Sequence, residues 1–463
     1  MVKVFFSNRI LLKKILTYSL LYIFTASLIV FAVFLSPDER NDFPIFRAVI
    51  VAFASILLCK YFVYMFLSPW YDIVMNLRLQ KTHAKLKKPY APNVSIVIPA
   101  WNEEIGICTT IHSILKSTYK NLEIVVVNNA STDNTEANVL RLMSDYNQKI
   151  KLEKGEHIQI VYAVEMMQGK GHALNKGLTI ASGELIMSID ADCYVKPNTV
   201  ENFVQYFADP TVAAAVGNVR IGNTNTIIGV IQYLEFLFSF YFKKADGLMN
   251  TIYIIGGAAG CFRKSIFHKI GQYSVTNITE DIELSVRIQS AGMKIVYAQD
   301  ALVFTEGATD IRGLMKQRLR WKRGRFETFA EHKKLFFSKR KEHNKILSWV
   351  ILPLALFGEL QLSLEPFFLF FLYIFSYLSN DYSSLISGII VVSSMFAVQI
   401  GFDNRKETRL GFILLAPIGW LLFYVSTFVE AQALTKALWG YVRGTELKWQ
   451  KWERNGVFSH KNP

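Results

Sequence analysis

The chain has 463 residues, too many for one ordinary core, and is 51% hydrophobic and 14% aromatic. Its apolar residues cluster at the two ends around a polar middle, which excludes a plain soluble globule and fits an integral membrane protein. The formal net charge is +14. Basic clusters beside apolar stretches mark a membrane face and its anionic lipids, so nucleic-acid binding is not expected.

In chain order, four Lys/Arg fall in the first fourteen residues, ahead of an apolar run over 15–35. A cleaved signal peptide is the alternative there, but the run is longer than a usual signal core and reads better as a retained anchor. A second run follows over 45–67, with Arg47 and Lys60 near its ends able to snorkel. Residues 1–75 thus read as two transmembrane helices. The loop 36–44 falls outside, and the basic segment 76–90 returns to the cytosol. The four cysteines, Cys59, Cys108, Cys193 and Cys261, show no metal-ligand spacing and read as reduced.

The middle has an α/β rhythm. Strands are predicted at 93–100, 122–129, 158–164 and 184–190, with helices near 104–117 and 170–181. Ser131, Thr132 and Asp133 can cap the helix after the second strand. Alternation of this kind predicts a mostly parallel sheet with helices on both faces. Ligands bind such sheets at the carboxyl ends of the strands, where Asn102, Asn129, Asp190 and Asp192 fall.

Four stretches carry the chemistry. In LIMSIDADCYV (185–195) two acids end a greasy run, and alternate strand residues share a face. Buried unpaired carboxylates cost several kcal/mol, so a positive partner is expected, and a divalent cation is one. QGKGHALNKG (168–177) is a Gly-bounded helix entry that places Lys170 to meet phosphate. Thr279-Glu280-Asp281 opens an amphipathic helix, where acids also favour the helix dipole. In KQRLRWKRG (316–324), Gln317, Arg320 and Trp321 share one helix face. Beyond it, 316–345 holds twelve Lys/Arg against three Glu and reads as amphipathic, lying along the membrane. Apolar stretches return at 346–379, 384–400 and 410–435. Glu359 and Glu365 within the first of these would face a protein interior or a water-filled path. The tail from Lys436 has six Lys/Arg against two Glu, which favours a cytosolic end. That requires an even count of spans, with either a hairpin broken near Glu365-Pro366 or a re-entrant segment.

The D-x-D, T-E-D and Q-x-x-R-W motifs, in this order and between apolar flanks, make the sequence resemble the membrane-embedded family 2 glycosyltransferases. It is most similar to the bacterial exopolysaccharide type, including the poly-N-acetylglucosamine synthases. The resemblance runs from Val94 to Gly324 and implies a GT-A-like nucleotide-sugar-binding domain over 90–310, inserted between α-helical transmembrane segments. It places interface helices with Q-x-x-R-W at 310–345, three to four membrane segments at 346–435 and a tail at 436–463. It implies inverting transfer from a UDP-sugar, with Mg²⁺ or Mn²⁺ as cofactor, at the plasma membrane with the catalytic domain cytosolic.

Asp281 matches the general base, with Glu280 in support. Asp190 and Asp192 would sit at the diphosphate, Asp192 as the preferred metal ligand. Pro99, Asn102 and Glu103 match the nucleotide-pocket turn. Arg320 would face the diphosphate, and Trp321 would stack on the acceptor sugar beside Gln317. Gly257 lies in a small-residue turn, 256–262, by the acceptor. Where relatives read D-D-G-S or N-D-G-S, this chain has Asn128-Asn129-Ala130-Ser131. The base-reading position is therefore Asn129, whose amide can accept from uracil N3–H but can also donate. Ala130 for glycine suggests a turn without positive φ.

The expected function is polymerisation of a sugar onto a growing polysaccharide acceptor, with extrusion through the membrane spans. The alternative is a single transfer to a lipid carrier such as polyprenyl phosphate, although those relatives generally lack Q-x-x-R-W. A transporter or scaffold with an inactive domain would have lost a metal or base carboxylate, yet Asp190, Asp192 and Asp281 are all present. No second-messenger domain is evident, so such control would come from a small membrane or regulatory partner subunit.

Overall fold

A computed structural model describes residues 59–152, 158–380, 382–401 and 414–445, with a few single positions besides. The expected span over 15–35, most of that over 45–67, the 402–413 connection and most of the tail lie outside the described residues. The chain divides into two compact units. Unit 1 is Met1–Leu77, Leu237–Leu248 and Leu354–Thr435, and unit 2 is Arg78–Phe236, Met249–Pro353 and Lys436–Pro463.

Unit 2 is built on eight strands: β1 Val94–Ala100, β2 Leu122–Asn128, β3 Gln159–Val164, β4 Leu185–Ser188, β5 Cys193–Val195, β6 Val212–Ile221, β7 Gly260–Arg263 and β8 Lys294–Thr305. Their order is β3-β2-β1-β4-β7-β6-β8-β5. The predicted strands all form, and β3-β2-β1-β4 is a parallel block. Every residue of β2 is buried, as a Val- and Ile-rich strand covered on both faces should be. Beyond that block the sheet is mixed rather than mostly parallel. β7 runs antiparallel between β4 and β6, β6 and β8 are parallel, and β5 closes the edge antiparallel to β8.

The helices of this unit include α1 Trp70–Ala84 (from Arg78 onward), α2 Ile107–Leu115, α3 Thr135–Leu152, α4 Lys170–Ile180 and α5 Thr199–Phe207. They continue with α6 Ile227–Met249 (apart from Leu237–Leu248), α7 Glu280–Ser290 and α8 Ile311–Glu331. α4 lies close on β1, because Gly177 leaves room: a Cβ there would sit 2.3 Å from Val97 Cγ1. α8 forms where Q-x-x-R-W predicts a helix, with Asp310 capping it by accepting from Gly313 N at 2.8 Å. Arg318, Lys322 and Arg323 are buried, and Arg323 pairs with Glu327 and donates to Ala437 O at 3.2 Å.

Unit 1 contains α9 Leu352–Ser379, α10 Ser383–Gly401 and α11 Gly419–Val442 up to Thr435. Pro366 lies inside α9, which continues unbroken through it, so of the two alternatives for an even span count the hairpin broken at Glu365-Pro366 does not form. At 28 residues α9 is roughly 40 Å long. Leu347–Leu378 is the one helical stretch among the described residues long and apolar enough to cross a membrane, and a shorter apolar stretch covers Gly388–Ile400. A buried Lys244–Asp72 ion pair at 3.0 Å and a cluster of Tyr61, Phe238 and Phe242 rings hold the Leu237–Leu248 part of α6 within this unit. The cysteines are free, with Cys193 and Cys261 buried.

Candidate active site

The turns that leave β1 and β2 are interlocked. Asn102 N donates to Ser131 Oγ at 2.9 Å, and Thr132 N donates to Asn102 Oδ1 at 2.7 Å. Glu103 N reaches Thr135 Oγ1 at 2.8 Å, and Glu104 Oε2 accepts from Asn134 N at 3.0 Å. Of the three expected capping residues, Asp133 accepts from Thr135 N at 3.0 Å, whereas Ser131 and Thr132 are engaged by Asn102. Both turns require left-handed backbone: Asn102 has φ 53° and Ala130 has φ 53°. The expectation that alanine at 130 signals an ordinary φ is thus overturned. The network holds the residue in a conformation costing about 1–2 kcal/mol for a side chain with Cβ. Pro99 lies in β1 opposite Val127 of β2.

Asn129 is 4% exposed and its side chain is fully engaged. Nδ2 donates to Glu165 O at 3.1 Å and to Met167 O at 2.7 Å, and Oδ1 accepts from Gly169 N at 2.8 Å. These contacts tie the end of β2 to the loop that leads into α4.

Asp190 and Asp192 follow β4, which ends at Ser188, so they lie in the turn into β5 and strand alternation does not set their directions. The turn is fixed from α2, where Thr110 Oγ1 lies 2.8 Å from Ala191 O and 2.7 Å from Cys193 O. Asp192 is buried, while the Asp190 side chain is 32% exposed. The positive partner of Asp190 is Lys170, whose Nζ lies 2.6 Å from its Oδ1 and 3.4 Å from Glu280 Oε1. Burial opposes the charge on Lys170, but Asp190, then Glu280 and Asp281, outweigh it and hold the ammonium above the usual lysine range. Burial, followed by the neighbouring Asp281, pushes the Glu280 carboxyl up against the opposing Lys170 and Arg320.

Asp281 is held at both oxygens. Oδ2 accepts from Gly257 N at 2.8 Å and Oδ1 from Ile282 N at 2.8 Å. One turn along α7, Ser285 Oγ accepts from Ile255 N at 2.9 Å and donates to Asp281 O at 2.6 Å, so the 255–257 segment is stapled to α7 twice. Ser285 carried no signal in the sequence, because its role depends on the meeting of two distant segments. α8 packs on the same helix: a Cβ on Gly324 would sit 2.1 Å from Thr279 Oγ1. Gln317 is buried, and its Oε1 has no hydrogen-bond partner. Trp321 lies against Phe236, with ring centroids 6.3 Å apart, and the Arg318 guanidinium stacks on it at 4.3 Å while pairing with Glu235. Arg318 was not singled out from sequence, though it orients the tryptophan.

Among the described residues Asp190 and Asp192 gather no third carboxylate or imidazole into one ligand set. Their oxygens suit a hard cation whose shell is completed by substrate phosphate and water. The one such group of three, Glu283, Glu331 and His332, is an ion-pair network: Arg287 reaches Glu283 at 2.6 Å and His332 reaches it at 3.0 Å.

Residues 95–271 match glycosyl transferase family 2, and residues 185–425 match glycosyl transferase family group 2. The chain belongs to the family 2 glycosyltransferases. It is therefore an enzyme of glycosyl transfer. It is 27% identical over 382 residues to a poly-β-1,6-N-acetyl-D-glucosamine synthase of Staphylococcus epidermidis, covering 79% of this chain and 88% of the relative. It is 30% identical over 250 residues to a synthase of the same name from Staphylococcus aureus, covering 54% and 57% respectively. A mannosyltransferase from Pyrobaculum calidifontis, solved with GDP-Man and Mn²⁺, covers 83% of this chain and 99% of its own with TM-score 0.51 and 20% identity, which shows a shared fold.

Proposed function

We propose that the chain polymerises a sugar from a UDP-sugar into a β-linked exopolysaccharide, with N-acetylglucosamine as the first donor sugar to test. The observation that carries this reading is the convergence of the motifs on one lysine: Lys170 touches Asp190 at 2.6 Å and Glu280 at 3.4 Å, beside the base candidate Asp281. The choice of sugar rests on the names of the family relatives.

In this reading Asp281, oriented by the N–H groups of Gly257 and Ile282, takes the proton from the acceptor hydroxyl. That oxygen forms a bond to the anomeric carbon as the bond to the nucleotide phosphate breaks from the opposite face, inverting the centre. Lys170 and Arg320 meet the charge that develops on the leaving diphosphate. Asp190 and Asp192 would hold Mg²⁺ or Mn²⁺, which supplies further positive charge to the diphosphate. Trp321, steadied by Arg318, offers a flat face to the acceptor sugar, and Gln317 of the same helix takes part in holding that sugar. Glu280 keeps Lys170 in place.

We place the catalytic unit at the cytosolic face of the plasma membrane, with the apolar helices forming the path for the chain. The apolar stretch Leu347–Leu378 supports a membrane location. So does the exposed Phe337–Trp349 pair, with ring centroids 5.5 Å apart, beside the exposed cations Lys339, Arg340, Lys341 and Lys345.

The test is UDP release by detergent-purified protein across a panel of UDP-sugars with Mg²⁺ or Mn²⁺, with products sized. Metal-dependent release with UDP-N-acetylglucosamine and long polymer is expected. Short lipid-linked products would replace the polymerase by a single-transfer enzyme, and no release with any UDP-sugar would overturn the donor assignment.

A further inference from the structure

We infer that Asn129 is a positioning residue for Lys170 rather than a reader of the nucleotide base. The side chain bonds two carbonyls, Glu165 O and Met167 O, and one amide, Gly169 N. This pattern admits one orientation of the amide. Turned over, Oδ1 would face two carbonyl oxygens and Nδ2 would face an N–H, so all three contacts would become repulsive. An aspartate could accept from Gly169 N but could donate to neither carbonyl. An asparagine at this position is what the loop requires.

The loop so held leads straight to the catalytic lysine. Gly169 has φ 138°, a conformation reserved for glycine, and it is the residue before α4, whose first residue is Lys170. Glu165 adds a second tie within the loop, accepting from Met167 N at 2.9 Å through Oε1. Asn129 thus fixes the end of β2, the loop and the start of α4 as one piece. The Lys170 ammonium is carried on that piece to Asp190 and Glu280. Met166 and Met167, 75% and 57% exposed, form the outer surface of the loop.

The inference is tested with Asn129→Asp, Asn129→Ala, Lys170→Ala and the double variant Asn129→Asp/Lys170→Ala, all in full-length protein. Amide exchange over 166–171 should rise at least 10-fold in Asn129→Asp, because two donor contacts become acceptor–acceptor contacts. Turnover should fall at least 10-fold while the donor KM moves less than 3-fold, since Lys170 acts on the leaving charge. On the Lys170→Ala background, Asn129→Asp should cost less than 3-fold, because the group it acts through is already gone. Competition by UDP relative to CDP and GDP should be unchanged. Asn129→Ala, which loses the contacts without adding repulsion, should show the same pattern more weakly.

Increased preference for UDP in Asn129→Asp, with loop exchange unchanged, would overturn the inference in favour of base reading. Fully additive losses in the double variant would overturn the route through Lys170. The kinetic arms rest on the proposed donor, whereas the exchange measurement needs no substrate; failure of the donor assignment would therefore leave the exchange result standing on its own.

Discussion

Gly257 stands against both Lys170 and Asp281. A Cβ built there would lie 2.4 Å from Lys170 Nζ and 3.5 Å from Asp281 Oδ2. The backbone at 257 is outside the left-handed region, so alanine is not excluded by conformation, and the clashing atom is the far end of a flexible side chain. Gly257→Ala should therefore fold, and Lys170 should move by about 1 Å to restore an ordinary contact. Lengthening its 2.6 Å contact with Asp190 to about 3.6 Å, at an effective dielectric near 20, weakens that attraction by about 2 kcal/mol. A displacement of about 1 Å in a positioned group costs on the order of 100-fold in rate. The expected result is a 20- to 100-fold fall in UDP release, roughly, with the thermal midpoint within about 2 °C of wild type. Wild-type turnover in a protein of wild-type stability would refute the argument that Lys170 must stand where it does.

Three further outcomes follow from local geometry. Gly324→Ala drives a methyl to 2.1 Å from Thr279 Oγ1 and 2.7 Å from Thr279 Cβ, so it should destabilise by about 1–3 kcal/mol, measured by thermal unfolding, and Thr279→Ser should not rescue it. Ala130→Gly removes left-handed strain at φ 53° and should raise stability by up to about 1 kcal/mol in denaturant titration, with activity intact. Burial raises the Asp209 carboxyl, but Lys294 and Thr211 outweigh it and bring it from 3.8 down to about 2. The lowered folded value means this stability is present above 3.8 and lost as pH falls through about 2. Because Asp209 is partly solvated, its share is on the order of 1 kcal/mol, and Asp209→Asn should flatten the acid limb of a stability profile carried from pH 5 down through pH 2 by roughly that amount.

The parts of the fold legible in the sequence are those set by local pattern. Runs such as LEIVVVN and VSIVIPA carry their own strand signal, and Gly169 with Lys170 announces a helix entry. The motif residues could be found because their types and order are restrictive. Their partners were hidden for a different reason: Lys170 meets Asp190 and Glu280 across 20 and 110 positions of chain, and no local pattern encodes that distance. The same holds for Thr110 under the D-x-D turn and for Ser285 against Ile255. Neither the burial of α8 cations, with Arg318 paired to Glu235, nor the continuity of a long helix through Pro366 could be read from composition.

The most direct test of the catalytic assignment is Asp281→Asn, read by UDP affinity and glycosyl transfer on the same preparation. The amide keeps the side chain's shape and an oxygen for Gly257 N or Ile282 N but cannot take the acceptor proton. UDP affinity within about 3-fold of wild type, with transfer lowered by roughly 100- to 10,000-fold, is the predicted result. Transfer above about one tenth of wild type would contradict the assignment of Asp281 as the base.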